Sequence, residues 1–223
     1  MRKILMVVAL LFCMGCGTVG SFPSKGVATA IKNPIPEAAF TGETKPVLRV
    51  KSYDWIGAAG AVYGHGSAFI IEHKESLYIV TAFHVIEGAT VVEFSTHDNK
   101  PVAIEVDNLI LMRHMDAALM KIKKISAKIN PLKLGKYALG GEVTAIGFPM
   151  NGEYKENKGH NYSTQSHTTA NLISGMSGGP VLDGEGNVVG IVSATVLGDP
   201  EVKGIFSRLE DVFCRIDAEK IDK

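Results

Sequence analysis

Gly175-Met176-Ser177-Gly178-Gly179-Pro180 sets one serine among three glycines, just ahead of an apolar run. A serine hydroxyl is a poor nucleophile until a base takes its proton. When it attacks a carbonyl, the oxyanion that forms needs donors already aimed at it, and the backbone N–H groups of a tight turn supply them. Glycine permits such a turn and lets another backbone approach closely. At this point the plain reading, a glycine-rich hairpin with an inert serine, stands beside the chemical one.

Chain order narrows the choice. The segment satisfies the Gly-x-Ser-x-Gly spacing of the α/β-hydrolase elbow, but that fold places its histidine after the serine, and no histidine follows Ser177. The subtilisin order runs acid, histidine, serine on a mixed α/β scaffold, a content this sequence does not display. The order His, Asp, Ser remains. Of seven histidines, His84 alone ends an apolar run, Tyr78-Ile79-Val80-Thr81-Ala82-Phe83-His84. His65 lies between glycines, His73, His97, His160 and His167 lie in polar surroundings, and His114 is a distractor two residues before Asp116, at a spacing that orients neither well. A general base must be held in one orientation, and the end of a core strand does that; a satisfied core histidine is the plain alternative. Three aspartates separate His84 from Ser177: Asp98, Asp107 and Asp116. Asp98-Asn99 reads as a turn and Asp107-Asn108 as a bend, whereas Asp116 leads into Ala117-Ala118-Leu119-Met120. A carboxylate beside buried strand residues needs a partner. The imidazole N–H of His84 would be one; capping a local turn would be another. No His-x-x-x-His spacing occurs, so the sequence predicts neither a metal site nor a cofactor.

Around these motifs, short apolar runs alternate with turn residues from Val47 onward. The predicted strands are Val47–Tyr53, Ser67–Glu72, Tyr78–Ala82, Thr90–Ser95, Val102–Val106, Ala117–Ile122, Glu142–Gly147, Tyr162–Thr169, Pro180–Leu182, Val188–Ala194 and Lys203–Ser207. Asp183-Gly184-Glu185-Gly186-Asn187 reads as a hairpin loop. Many short strands predict an all-β sandwich or barrel. The polar stretch Asn151–His160 reads as an exposed loop. Leu209, Val212, Phe213 and Ile216 fall at helical spacing behind Ser207, a candidate N-cap, and predict one C-terminal helix.

The chain of 223 residues has 46% hydrophobic and 21% charged residues and a formal net charge of zero. That is ordinary globular composition, without the basic excess a nucleic-acid partner would want. Arg2 and Lys3 precede an apolar stretch, Ile4–Met14, and then Gly15-Cys16-Gly17, the layout of a secretory signal. It resembles bacterial lipoprotein signals, in which a cysteine after a small residue is lipidated; Cys16 fits, with Cys13 standing where leucine is usual. A secreted form and an uncleaved anchor are the rival readings. The organisation expected is a signal over 1–16, a linker over 17–45 carrying Pro23, Pro34 and Pro36, and one domain over 46–223 in an exported, membrane-attached protein facing the periplasm or exterior. Cys214 alone lies in the domain, so no intramolecular disulfide is expected; it reads as a small apolar residue of the terminal helix.

Taken together and in order, Gly66-Ser67-Ala68-Phe69, Thr81-Ala82-Phe83-His84, Asp116-Ala117-Ala118-Leu119, Gly175-Met176-Ser177-Gly178-Gly179-Pro180 and Val189-Gly190-Ile191-Val192-Ser193 resemble the chymotrypsin-like serine proteases, most closely the bacterial HtrA-type trypsin-like branch. The resemblance covers about Val47 to Ile216. It implies two antiparallel six-stranded β-barrels with a cleft between them. It also implies a catalytic triad of His84, Asp116 and Ser177 acting on polypeptides, and an oxyanion hole from the N–H groups of Gly175 and Ser177. Ser193-Ala194-Thr195 would pair with substrate backbone, and Asn171, Thr195 and Gly204 would line the primary pocket. Met176 stands where digestive proteases carry an aspartate for a newly cut N-terminus, so that activation route is not expected. Uncharged Asn171 argues against strict Lys or Arg preference, and Thr195 narrows the pocket toward small or medium apolar side chains. Few residues follow the terminal helix, so no PDZ domain is expected. A catalytically silent relative that binds peptides or proteins in the cleft is the alternative.

Overall fold

The computed structural model describes residues 45–56, 59–150 and 152–221. The signal reading over 1–16, Cys16 and nearly all of the linker lie outside the described residues. The first unit comprises β1 (Val47–Ile56), β2 (Ala59–His73), β3 (Ser76–Thr81), the single turn α1 (Phe83–Ile86), β4 (Val91–Ser95), β5 (Pro101–Val102), β6 (Ile104–Met112) and β7 (Ala117–Ile125). The second comprises β8 (Glu142–Gly147), β9 (Lys155–Ser163), β10 (His167–Thr168), β11 (Pro180–Asp183), β12 (Val188–Thr195) and β13 (Gly204–Arg208), followed by α2 (Leu209–Ile221).

The second unit closes into a six-stranded barrel in the order β10-β13-β12-β11-β8-β9. The first is a seven-stranded sheet in the order β5-β4-β1-β2-β3-β7-β6. The two-barrel, all-β architecture with a C-terminal helix is therefore present, the first unit being a half-barrel of seven strands in place of six. Every pairing between named strands is antiparallel, which hairpin connections make inexpensive in loop entropy. Phe69, Ile70, Ile71, Ile79 and Leu119 fill the first core, and Phe206, Val181 and Leu172 the second. The intervening segment is tied to both units. Leu132 pairs with Ile71 and Leu134 with Val188 as isolated parallel bridges. Across the seam, the Arg49 guanidinium of β1 lies 4.5 Å from the centroid of Phe148, a cation–π contact.

Several expectations change, among them the strand over 162–169, which a turn at 164–166 splits between β9 and β10. Lys155–His160 is not a loop but most of β9, pairing with β8 from Gly147↔Lys155 to Glu142↔His160. Its residues are polar on both faces, so no apolar alternation announces it; the β8 ladder, which satisfies its backbone, decides. Ser207 does not cap α2 but sits in β13 opposite Ile191. The helix itself buries Leu209, Val212, Phe213 and Ile216 as its spacing predicts, whereas Cys214 is exposed. The Asp183–Asn187 loop is tied by the Asp183 carboxylate, which accepts the N–H groups of Glu185 and Asn187, each at 2.9 Å.

Candidate active site

His84 sits in α1, one turn beyond β3, so its orientation is inherited from the first core through Val85 and Ile86, both buried. Asp116 ends a 3₁₀ turn, Arg113–Met115, in the left-handed region at φ 45°, ψ 46°, with its N–H donating to the Arg113 carbonyl. Aspartate tolerates that conformation better than most residues with a Cβ. The result brings its carboxylate to α1. His84 Nδ1 lies 2.8 Å from Oδ2 and 3.0 Å from Oδ1, and the His84 backbone N–H donates to Oδ1 at 3.0 Å. An ionised carboxylate can only accept, so Nδ1 carries a proton, and in the neutral imidazole Nε2 is then the acceptor. Burial pushes the Asp116 carboxyl up, but the hydrogen bonds from His84 and Ser193 outweigh it and hold it below its usual 3.8.

Ser193 also donates its hydroxyl to Asp116 Oδ2. It occupies a register break in β12, between Val192 and Ala194, and such bulges re-aim a side chain. Its carbonyl accepts the Ser177 hydroxyl at 3.4 Å. Ser193 therefore links Asp116 and Ser177, and among the described residues no hydrogen bond joins Ser177 Oγ to His84. The histidine and serine segments also meet across Gly66. A Cβ there would lie 2.6 Å from Val85 Cγ1 and 3.0 Å from the Ser177 carbonyl oxygen.

The turn before Ser177 is held by backbone hydrogen bonds. Met176 N–H donates to the Ile173 carbonyl at 2.9 Å, and Gly175 holds φ +94°, the position of a type II turn that requires positive φ. The Ser174 carbonyl accepts from Met150 N–H at 3.1 Å and the Met176 carbonyl from Gly179 N–H at 2.9 Å. Across a trans peptide the following N–H points the other way. Gly175 N–H and Ser177 N–H are thus directed by bonds on their opposite edges, and neither donates to another group among the described residues.

The expected pocket residues are only partly gathered. The Thr195 hydroxyl donates to the Leu172 carbonyl at 3.0 Å, and a Cβ on Gly204 would lie 2.2 Å from Leu172 Cδ1. Leu172, only 1% exposed, occupies the ground between them and escapes sequence reading. Asn171 is exposed, tied to this wall by its carbonyl, which accepts from Asn157 Nδ2 at 2.5 Å. Beside the histidine, Phe83, Ile86 and Leu111 line a small, mostly apolar depression of about 290 Å³. Among the described residues, no group of three or more His, Cys, Asp or Glu side chains is arranged to hold a metal ion.

Residues 66–191 match the family model described as "Trypsin-like peptidase domain". The chain is 30% identical over 154 residues to Protease Do-like 1, chloroplastic, from Arabidopsis thaliana, an overlap covering 59% of this chain and 33% of that one. It is 32% identical over 142 residues to a probable periplasmic serine endoprotease DegP-like of Marinomonas sp. (strain MWYL1), covering 57% and 29%. It spans no more than half the length of the curated relatives it matches. Among solved structures, a serine endoprotease from Yersinia pestis superposes with a TM-score of 0.62 at 20% identity, covering 80% of this chain and 63% of that one.

Proposed function

The chain belongs to the trypsin-like peptidase family, and from that premise we propose that it is a serine endopeptidase in which Ser177 is the nucleophile, His84 the general base and Asp116 the group that orients the imidazole. The observation that carries the reading is the junction at Ser193, with the His84–Asp116 pair on one side and Ser177 on the other. The Ser177 hydroxyl turns from the Ser193 carbonyl to His84 Nε2. Its oxygen attacks the scissile carbonyl while its proton passes to Nε2, and the oxyanion is taken by Gly175 N–H and Ser177 N–H. The imidazolium then protonates the leaving amine as the C–N bond breaks. Water repeats the sequence on the acyl-enzyme and frees Ser177. The Ser193-Ala194-Thr195 backbone, half-buried at Ser193 and exposed at Ala194 and Thr195, accepts the substrate as an added strand.

The catalytically silent, peptide-binding alternative draws on one observation, the Ser177 hydroxyl resting on Ser193 O. A fluorophosphonate probe separates the two. Wild type is expected to be labelled at Ser177, and His84→Ala not to be. A wild type that resists the probe and leaves casein intact would favour the binding module.

The domain proposed spans 46–223, behind a signal over 1–16 and a linker over 17–45, with Cys16 lipidated and the protein exported and attached to the envelope membrane. That the Marinomonas relative is a probable periplasmic endoprotease supports export. The primary pocket is proposed to be floored by Leu172, between Thr195 and Gly204, which restricts it to small side chains. Leu172→Ala is expected to raise kcat/KM for peptides with leucine before the cleaved bond, relative to alanine, by at least about tenfold, the lower end of the effect of one methylene in an apolar pocket. An unchanged profile in a substrate-library assay would place the pocket elsewhere.

A further inference from the structure

The Gly66-Ser67-Ala68-Phe69 segment marks the fold, but its serine does more than pair strands. Ser67 is 0% exposed. Its N–H donates to the Ser177 carbonyl at 2.8 Å, its hydroxyl donates to the Gly175 carbonyl at 2.9 Å, and its oxygen accepts the Phe148 N–H at 2.9 Å. Its own carbonyl takes the Thr81 hydroxyl at 2.7 Å. One buried residue of the first unit therefore grips the nucleophile turn of the second at two carbonyls, one between the paired donors and one just after them.

The geometry points to Ser67 as a positioning residue for the oxyanion site, an inference that rests on the peptidase reading above. The physical reason is the freedom of Gly175. At φ +94° it has no Cβ to resist rotation of its flanking peptides. Such a rotation would turn Gly175 N–H away and present the Ser174 carbonyl to the cleft. Rotation is opposed at the Ser174 carbonyl by Met150 N–H and at the Gly175 carbonyl by the Ser67 hydroxyl. Removing that hydroxyl leaves a buried carbonyl and the buried Phe148 N–H both without a partner. Each then gains from any movement that finds one. Phe148 and Met150 belong to the same segment, so loss of the first anchor loosens the second.

The test compares wild type, Ser67→Ala and Ser67→Cys on a fluorogenic peptide and on a peptide boronate, which forms a tetrahedral adduct with the nucleophile. The thiol nearly keeps the volume and is a weaker donor, so Ser67→Cys carries the test should Ser67→Ala fail to fold. Ser67→Ala is expected to lower kcat roughly 10- to 100-fold, less than outright loss of a donor. KM should stay within about threefold and boronate affinity should fall by the same factor as kcat, with Ser67→Cys between. Equal losses in boronate and product-peptide binding, or an unchanged kcat, would overturn the role while leaving the peptidase reading in place. A wild type that neither cleaves the peptide nor binds the boronate would overturn both.

Discussion

Alanine at Ser177, alanine at His84 and alanine at both are expected to leave the same residual kcat, about a million-fold below wild type, because a nucleophile and its base act as one unit. Once either is gone the other has nothing to do, so the second substitution subtracts nothing. Asp116→Asn is expected to cost less, about 10⁴-fold, and the structure says why the amide fails although it fits. The His84 backbone N–H demands an acceptor at the Oδ1 position. The asparagine must therefore put its carbonyl there and its NH₂ where Oδ2 stood, facing His84 Nδ1. A donor at Nδ1 moves the imidazole proton to Nε2, the nitrogen that has to accept from Ser177. The same NH₂ also faces the Ser193 hydroxyl, which can turn its own proton aside and accept. Single-turnover kinetics on a fluorogenic peptide measure all four variants. Losses that multiply between Ser177→Ala and His84→Ala would show that the two do not work together.

Legibility in the sequence followed the range of the interaction. Leu209, Val212, Phe213 and Ile216 repeat with the helical period and are buried together, because a period is a local property and the helix needs one apolar face. The hairpin at Asp183–Asn187 is likewise local. His84 and Asp116 could be picked out by chain order and apolar context, and they are hydrogen-bonded. That Asp116 reaches His84 from a left-handed turn was not legible, since non-glycine residues seldom announce positive φ. The sequence marks Ser193 only as a residue lining the cleft, yet its hydroxyl is on Asp116; the bulge that redirects it depends on the β13 register. Leu172 carries no such signal, because its burial depends on a missing side chain at Gly204. Only the end of β9 is legible, because polar Lys155–His160 carries no pattern of its own and pairing with β8 supplies its stability. The reach of Ser67 into the second unit belongs to the same class, as do all contacts that exist only after the two units dock.

That docking can be probed at Gly178, where fold and site share one atom's worth of space. Gly178→Ala is expected to cost more than about 3 kcal/mol. Gly178 has φ +84°, and a Cβ there would lie 2.1 Å from the Ser67 carbonyl oxygen, 2.2 Å from Thr81 Oγ1 and 2.8 Å from the Ala82 nitrogen. Left-handed backbone costs an alanine roughly 1–2 kcal/mol. Overpacking typically adds about 1–3 kcal/mol, and this case falls at the upper end because the atoms met include backbone of β2 and of the approach to His84. Gly178 N–H also donates to the Val192 carbonyl at 2.7 Å, so the residue cannot shift without breaking the contact that seats Ser177 beside β12. Two glycines of the Asp183–Asn187 loop calibrate the series. Gly186 shares φ +84° but would meet nothing within 4 Å, and Gly184 has neither constraint. Gly186→Ala is expected to lose about 1–2 kcal/mol, and Gly184→Ala to be neutral or to gain about 0.5 kcal/mol through the unfolded chain. Urea denaturation of the three variants reads the strain and the clash separately. A Gly178→Ala protein no less stable than Gly186→Ala would mean that the two units do not close against each other at this glycine.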